Sequence, residues 1–436
     1  MPGHKRNPMF FPQNLPHYDI TEIPGMDVLA NPTGILKSMQ NSIAEFYCAD
    51  ESYLLVNGST AGIIAAICAV SDDNSKLYAA RNGHISMYGG LAASGAKPIY
   101  IQPDTTSEGL AGGINAEAFA NMDEGTAAII VSPTYEGFVS NIKSIADKIH
   151  SRGGILIVDE AHGAHFNFHK FFPTSALDLG ADIVVQSFHK TLPALGQLAV
   201  LHTKGSRVDS SRLNFFVQAA QTSSPSYMLM AQLDYILNML RKRPELFEMY
   251  VNRLINLRSA LASTEVQPIN LVDPTIKGQA SIYDIDQGKL LFNLKTKQTA
   301  FQISEILSTQ NRLQMEMAAK KHMLAMTSVA DTDEGIQRLW AAIGALNIKL
   351  ETSTSTQTVQ KLPIPEQVLT PRQAAFMPTE TVPWDKAIGR ISAEIITDVP
   401  PGIALVAPGE RILKGLPPKQ GNVRVVKINN KGEPYK

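Results

Sequence analysis

The sequence predicts an α/β fold built on a seven-stranded, mostly parallel sheet. Between residues 53 and 203, short runs of β-forming residues alternate with stretches of helical pattern. Several of the short runs are apolar on consecutive residues, which is typical of strands that helices cover on both faces. We therefore expect a large domain around this sheet, followed by smaller α+β domains toward the carboxyl end.

Helical segments long enough for crossover connections lie between the predicted strands. The predicted strands are residues 53–56, 76–79, 98–101, 127–131, 155–158, 183–185 and 198–201. The predicted helices are residues 61–70, 86–94, 142–152 and 174–179.

The remainder of the chain divides by composition and periodicity. Apolar residues recur at helical spacing from Ser226 to about Arg258, which predicts a long helical connection leaving the large domain. The predicted organisation is an N-terminal arm (1–30), the large domain (31–258), a small α+β domain (259–350), a polar linker (351–361) and a Pro-rich C-terminal domain (362–436).

The composition excludes several classes of protein. The 436 residues carry a net charge of −1, which provides no bulk field for nucleic acid or an anionic membrane. The most apolar stretch, 61–70, has about half of the ~20 residues that a membrane span requires. Two cysteines, Cys48 and Cys68, are too few for a disulfide framework, and no secretory signal is evident. We expect a cytoplasmic protein with neither nucleic acid nor membrane as partner.

Polar clusters follow five of the predicted strands. In open α/β sheets ligands bind beyond the carboxyl ends of the strands, so these clusters are expected to converge on one crevice. They occupy residues 57–60, 81–84, 132–135, 159–162 and 187–190.

The most informative pair in these clusters is Asp159 and Lys190. Pyridoxal 5'-phosphate needs a lysine for the Schiff base and a carboxylate for its pyridinium nitrogen, and this pair offers both from strand ends. The sequence Asp-Glu-Ala-His also matches a nucleotide-binding motif of helicases, but no GxxxxGK[ST] phosphate-binding loop precedes it, so nucleotide hydrolysis is not expected. A metal site at His162, His165 and His169 lacks the HExxH pattern, so no metal is expected. Considered without Asp159, Lys190 would be interpreted as an ordinary lysine at the protein surface.

Two further clusters have a functional and a structural interpretation. Ser59 and Thr60 lie where a strand meets a helix, so they favour a phosphate cradle, although an ordinary helix N-cap uses the same residue types. His84 is either a structural histidine or a flat ring that stacks on the cofactor.

Eight segments carry sequence motifs, at residues 2–5, 57–60, 81–84, 132–137, 159–165, 187–192, 222–227 and 400–403. Taken in order, they resemble the motifs of the bacterial ornithine/lysine/arginine decarboxylase family over nearly the whole chain. The resemblance implies an aspartate-aminotransferase-like fold of type I and a short form without the N-terminal receiver-like wing. Gly196 replaces a threonine that is common in the family.

The resemblance also implies roles for individual residues. Lys190 corresponds to the Schiff-base lysine, Asp159 to the partner of the pyridine nitrogen, and His84 to the stacking histidine. The catalytic residues are then Lys190, His189 and His84. The implied cofactor-binding set is Ser59, Thr60, His84, Asp159, Ala161, His162, Ser187, His189, Lys190 and Thr222.

The implied activity is decarboxylation of a basic amino acid to an amine of polyamine biosynthesis. Arginine or lysine is favoured, and ornithine is possible. Lys190 or His189 returns a proton to Cα, and Glu394 is the candidate for holding the cationic tail. Because the 222–227 segment approaches the neighbouring subunit in relatives, a homodimer or higher oligomer with shared sites is implied. Transamination, β-elimination and a catalytically silent homologue are the alternatives.

Overall fold

A computed structural model describes most of the chain. The described residues are Met9, Ile20, 22–262, 265–319, 321–353, 364–397, 404–417 and 421–428. The motifs at 2–5 and 400–403, and most of the predicted linker, lie outside these ranges.

A seven-stranded sheet occupies the centre of the large domain, as predicted. Its spatial order is β1-β8-β7-β6-β4-β2-β3, and β8 alone runs antiparallel to its neighbours. β5 lies outside this sheet and pairs with a strand of the small domain. The strands are β1 (Glu51–Leu55), β2 (Lys76–Ala80), β3 (Lys97–Ile101), β4 (Ala127–Val131), β5 (Phe138–Val139), β6 (Ile155–Asp159), β7 (Ile183–Ser187) and β8 (Ala199–Thr203).

The sheet is buried on both faces, which explains its consecutive apolar residues. Val158 belongs to one hydrophobic cluster and its neighbour Ile157 to another, so alternate side chains of β6 enter different cores. All seven predicted sheet strands are confirmed with small shifts at their ends. The helices of this domain are α1 (Ile35–Tyr47), α2 (Gly58–Val70), α3 (Ile85–Ser94), α4 (Ile142–His150), α5 (Phe188–Thr191) and α6 (Ser210–Ala219), with short 3₁₀ helices at Ala116–Phe119 and Phe166–Phe168.

The helix predicted for residues 174–179 is wrong, because this segment forms turns. The Ser175 hydroxyl and the Ala176 N–H both donate to the buried carboxylate of Glu160. Gly180 follows with φ at +101°, a conformation that ends a right-handed helix. The tertiary hydrogen bonds and the glycine therefore outweigh the local helical propensity.

The long helix predicted from Ser226 to Arg258 is divided in two. The structure has α7 (Tyr227–Lys242) and α8 (Glu245–Leu261), separated at Pro244. Proline lacks the N–H needed inside a helix and its ring clashes with the preceding turn, so it begins the second helix instead.

The small domain contains a four-stranded antiparallel sheet of order β12-β13-β11-β9. β10 pairs with β5, which connects this domain to the large one. A 3₁₀ helix at Pro274–Ile276 follows the first strand. The elements are β9 (Ile269–Leu271), β10 (Asp284–Ile285), β11 (Lys289–Leu294), α9 (Ala300–Asn311), β12 (Met317–Ala319), β13 (His322–Met326) and α10 (Asp333–Lys349).

The C-terminal domain packs against the large domain through a buried ion pair. Arg81 donates to both carboxylate oxygens of Glu410 at 2.6 Å, and the two side chains are each 1% exposed. Within the described ranges, no helix has both the length and the apolar character that crossing a membrane requires. The elements are α11 (Pro371–Phe376), β14 (Thr379–Pro383), α12 (Trp384–Ala387), β15 (Ile396–Thr397), β16 (Ala404–Val406) and β17 (Asn422–Val426), paired as β14-β17 and β15-β16.

Candidate active site

A cavity of about 350 Å³ opens at the carboxyl ends of the central strands. Each of the five polar clusters contributes at least one lining residue, so their predicted convergence is confirmed. The C-terminal domain completes the lining from β15, β16 and the residue before β15. The lining residues are Ser59, Asn82, Gly83, His84, Ile85, Tyr88, Val131, Tyr135, Asp159, Ala161, His162, Lys190, Ile395, Thr397 and Ala404.

Asp159 is the last residue of β6 and is 7% exposed. Its carboxylate accepts a hydrogen bond from the Ala161 N–H at 3.1 Å. Burial raises the pKa of Asp159, while the charge of Lys190, the Ala161 N–H and His84 oppose that rise. A carboxylate in this setting gains from any cationic partner that enters the cavity, such as a protonated ring nitrogen.

Lys190 lies in the short helix α5, directly after β7. Its Nζ is 3.2 Å from Nε2 of His162. Burial lowers the pKa of Lys190, and the charges of Asp159 and Glu316 oppose this effect. A lysine with a lowered pKa has a larger fraction of neutral, nucleophilic amine near neutral pH.

Ser59, at the start of α2, lines the cavity, whereas Ser187 and Thr60 are not among its lining residues. The Ser187 hydroxyl donates to the Ser59 hydroxyl at 2.9 Å, and Thr60 follows Ser59 in the first turn of α2. Asn57 occupies the N-cap position, but its side chain makes no capping bond and donates to the Ala220 carbonyl. The N-cap interpretation of Ser59 and Thr60 is therefore wrong, and their hydroxyls stand where a helix N-terminus favours an anion.

His84, predicted to stack on the cofactor ring, and Ala161, predicted to bind the cofactor, both line the cavity. His84 caps α3, because its Nδ1 accepts from the Ser86 N–H at 3.3 Å. Burial lowers the pKa of His84. The structural interpretation of His84 is confirmed by this cap, which orients a ring that also lines the cavity with Asp159.

His162 and His189 differ in their access to the cavity. His162 lines it and has a lysine at each ring nitrogen, Lys190 at 3.2 Å and Lys289 at 2.9 Å. Burial, followed by the charges of these lysines, holds the pKa of His162 well below its usual value. His189 is not among the lining residues, and its Nδ1 lies 3.0 Å from the Leu198 carbonyl, to which it donates.

Sequence reasoning missed Lys289 and Glu316, which the small domain brings to this site. Lys289 is 3% exposed at the start of β11, and its Nζ donates to the Tyr135 carbonyl at 2.6 Å. The Tyr135 hydroxyl donates to Glu316 at 2.6 Å. The sequence does contain one indication of Lys289, because it is a lysine at the start of an otherwise mostly apolar predicted strand. No feature of the sequence indicates Glu316.

Other predicted site residues lie elsewhere in the described chain. Thr222 lines a separate surface depression, and the Glu394 carboxylate accepts from the Arg424 N–H at 3.3 Å without lining the cavity. His165 pairs with Asp286. In the described part of the chain, no three metal-ligating side chains converge.

The chemistry of the cavity fits pyridoxal 5'-phosphate. It provides an amine, a buried carboxylate, a flat imidazole ring and, at a helix start, the Ser59 hydroxyl that accepts a hydrogen bond from Ser187. Asn82 Oδ1 is also buried here without a hydrogen-bond partner among the described residues, as expected of a polar atom that awaits a ligand.

Comparison with known proteins gives matches over nearly the whole chain. Residues 2–310 match the major domain of the Orn/Lys/Arg decarboxylase family, and residues 352–425 match its C-terminal domain. The arginine decarboxylase of Bacillus subtilis (strain 168) is 31% identical, covering 94% of this chain and 87% of the relative. The arginine decarboxylase of Halalkalibacterium halodurans is 30% identical, covering 99% and 90%.

Solved structures support the same fold assignment. The Escherichia coli constitutive lysine decarboxylase superposes with a TM-score of 0.80 at 19% identity, covering 96% of this chain and 76% of that one. A serine palmitoyltransferase from Sphingomonas wittichii superposes with a TM-score of 0.58 at 12% identity, covering 80% and 88%. The predicted fold is thus confirmed, and the chain belongs to the Orn/Lys/Arg decarboxylase family of pyridoxal phosphate enzymes.

Proposed function

We propose that this decarboxylase of basic amino acids acts on arginine and forms the corresponding amine for polyamine biosynthesis. The observation that carries the chemistry is the placement of Lys190 and Asp159 in one cavity. The preference for arginine rests on the relatives, because those named arginine decarboxylase match 94% or more of this chain. The Escherichia coli lysine decarboxylase matches only 57% of it in sequence.

Residues of the cavity hold and orient the cofactor and substrate. When bound, pyridoxal phosphate supplies an electron sink for the pair of electrons that remains after CO₂ departs. Asp159 stabilises positive charge at the ring nitrogen, and Lys190 supplies the attaching amine. His84 and Ala161 bracket the ring. Ser59, Thr60 and Ser187 would hold the phosphate, and His189 directly precedes Lys190 in α5.

Lys190 is the proposed donor of the proton that returns to Cα. Its Nζ lines the cavity, 3.2 Å from Nε2 of His162, so an amine released from the cofactor is placed to present a proton inside the cavity. His189 is the second candidate, but its Nδ1 is held by the Leu198 carbonyl and it does not line the cavity.

A carboxylate is required for the substrate's cationic tail, because burying that charge unpaired is costly. Glu394 is our candidate, since it directly precedes Ile395, which lines the cavity. Glu394→Gln is expected to raise KM for arginine with little change in kcat.

The assembly is proposed to be a homodimer with shared active sites. Thr222 lines a depression distinct from the cavity of its own chain, so its predicted role in cofactor binding requires the cavity of a partner subunit. Mixing Lys190→Ala and Thr222→Val chains should then restore up to about a quarter of wild-type activity, because hybrid dimers regain one intact site. If hybrid dimers form and no activity returns, the proposal that each active site uses residues of both subunits is contradicted.

Substrate identity is tested by CO₂ release from arginine, lysine and ornithine by the purified, cofactor-loaded chain. We expect kcat/KM to be highest for arginine. A preference for lysine or ornithine contradicts the assignment to arginine, keto-acid production indicates transamination, and a loaded protein inert on all three is a silent homologue. The proposed setting is the cytoplasm, with a small-molecule substrate and neither nucleic acid nor membrane as partner.

A further inference from the structure

The site contains a second buried lysine to which the decarboxylation described above assigns no role. Lys289 is 3% exposed, and its Nζ lies 2.6 Å from the Tyr135 carbonyl, 3.5 Å from the Thr134 carbonyl and 2.9 Å from His162 Nδ1. An ammonium group has three N–H donors, so these three acceptors match it in number. A buried ammonium is costly unless it is paired in this way.

The charges around Lys289 favour its protonated form. Burial lowers the pKa of Lys289 to about 8, while the charges of Asp286, Glu136 and Glu316 oppose that fall. Asp286 also binds His165 and the Gly288 N–H. Lys289 therefore carries its proton at neutral pH.

The protonated Lys289 determines the tautomer of His162. An ammonium can only donate, so Nδ1 of His162 must accept. His162 is uncharged because burial holds its pKa well below its usual value. Its one ring proton is then on Nε2, directed at Lys190 Nζ 3.2 Å away. A nitrogen that accepts this hydrogen bond needs a free electron pair, so this tautomer of His162 favours the neutral form of Lys190.

We propose that Lys289 is a positioning residue which, through the ring of His162, holds Lys190 as a free amine before the cofactor arrives. The inference rests on the proposed role of Lys190 as the attaching lysine. It gives the small domain a direct part in the reaction site, since Lys289 enters from β11 whereas His162 and Lys190 belong to the large domain.

The tautomer of His162 is the first test. Long-range ¹H–¹⁵N NMR of the full chain, stripped of cofactor and labelled at its 10 histidines, separates the two neutral tautomers, and His162→Asn identifies the signal. We expect protonated Nε2 and bare Nδ1 in the wild type at pH 7. Protonated Nδ1, or a charged ring, overturns the proposal.

The reactivity of Lys190 is the second test. Acetylation of the same stripped chain by acetic anhydride, followed across pH by peptide mass spectrometry, gives the midpoint at which Lys190 becomes a free amine. In Lys289→Met that midpoint should rise by about one pH unit or more. The positive charge of Lys289 is lost, and the ring of His162 is then free to direct its unprotonated nitrogen toward Lys190, which favours the charged form of Lys190. An unchanged midpoint overturns the proposal.

A matched control and a double variant separate positioning from general damage. Lys321 is another partly buried lysine of the small domain, bonded to the Thr296 and Gln298 carbonyls away from His162, so Lys321→Met should leave the midpoint unchanged. In a chain that already carries His162→Phe, Lys289→Met should shift the acetylation midpoint of Lys190 less than it does in the wild type. An equally large shift would contradict an effect of Lys289 that acts through the His162 ring. Loss of cofactor attachment at Lys190 in the wild type would instead refute the proposed function.

Discussion

The ion pair between Arg81 and Glu410 is predicted to hold the C-terminal domain against the cavity. Both side chains are 1% exposed, and the two contacts are 2.6 Å long. The Ala407 N–H also donates to Glu410 at 2.7 Å. Glu410→Gln keeps the shape but leaves the Arg81 charge buried without its counter-ion. Removing one partner of a buried pair costs about 3 kcal/mol or more.

That cost should appear as easier release of the C-terminal domain. A change of about 3 kcal/mol is about a 100-fold change in an equilibrium constant. When the domains close again faster than the protease cuts, the rate of limited proteolysis is proportional to the fraction of molecules with the domains apart. The rate of cleavage between the domains should therefore rise about 100-fold in Glu410→Gln. The measurement is the rate of appearance of the released fragment on gels, together with the unfolding temperature.

An exposed pair in the same domain provides the control. Arg411 and Glu366 are 42% and 69% exposed, and surface pairs contribute about 1 kcal/mol or less. Glu366→Gln should therefore leave the cleavage rate within about fivefold of wild type. Equal rates for the two variants would refute the argument that burial makes the Arg81–Glu410 pair the stronger contact.

Three further predictions concern the cofactor site and the sheet. Asp159→Asn should lower kcat for CO₂ release by about 100-fold or more without unfolding the chain, because the ring nitrogen loses its counter-charge; activity within tenfold of wild type argues against that role. Ser59→Ala or Ser187→Ala should each weaken cofactor affinity about tenfold in a fluorescence titration, since each removes a donor to phosphate; unchanged affinity places the phosphate elsewhere. Burial lowers the pKa of His202 from 6.5 to about 3. Between these two pH values the His202 ring is protonated in the unfolded chain but not in the folded chain, so the free energy of unfolding decreases as the pH falls from 6.5 to 3. His202→Gln should flatten this part of the denaturation profile, and an unchanged slope would show that another group titrates.

The fold was accessible from sequence because its signals are local. Consecutive apolar residues such as Ile157 and Val158 predicted a strand covered on both faces, and the strand indeed faces two cores. The strand-end rule then placed Asp159 and Lys190 together without knowledge of any contact between them. Where the prediction was wrong, at residues 174–179, tertiary hydrogen bonds to Glu160 overrode local propensity.

The parts of the site that sequence did not predict depend on contacts between domains. Lys289 and Glu316 lie more than a hundred residues beyond the motif at 159–162, and nothing local indicates that they reach it. The same holds for Glu410, which meets Arg81 across the domain boundary. Pairing of buried charges is a property of the folded arrangement, so residue type alone cannot identify the partners.

The attachment point of the cofactor tests the central claim most directly. Borohydride reduction of the pyridoxal phosphate-loaded chain, followed by peptide mass spectrometry, locates the modified lysine, and loss of the visible absorbance band reports the extent of reaction. We predict the adduct on Lys190, with none formed in Lys190→Ala. An adduct on Lys289 or any other lysine, or an unmodified Lys190 in fully reduced protein, would contradict the account.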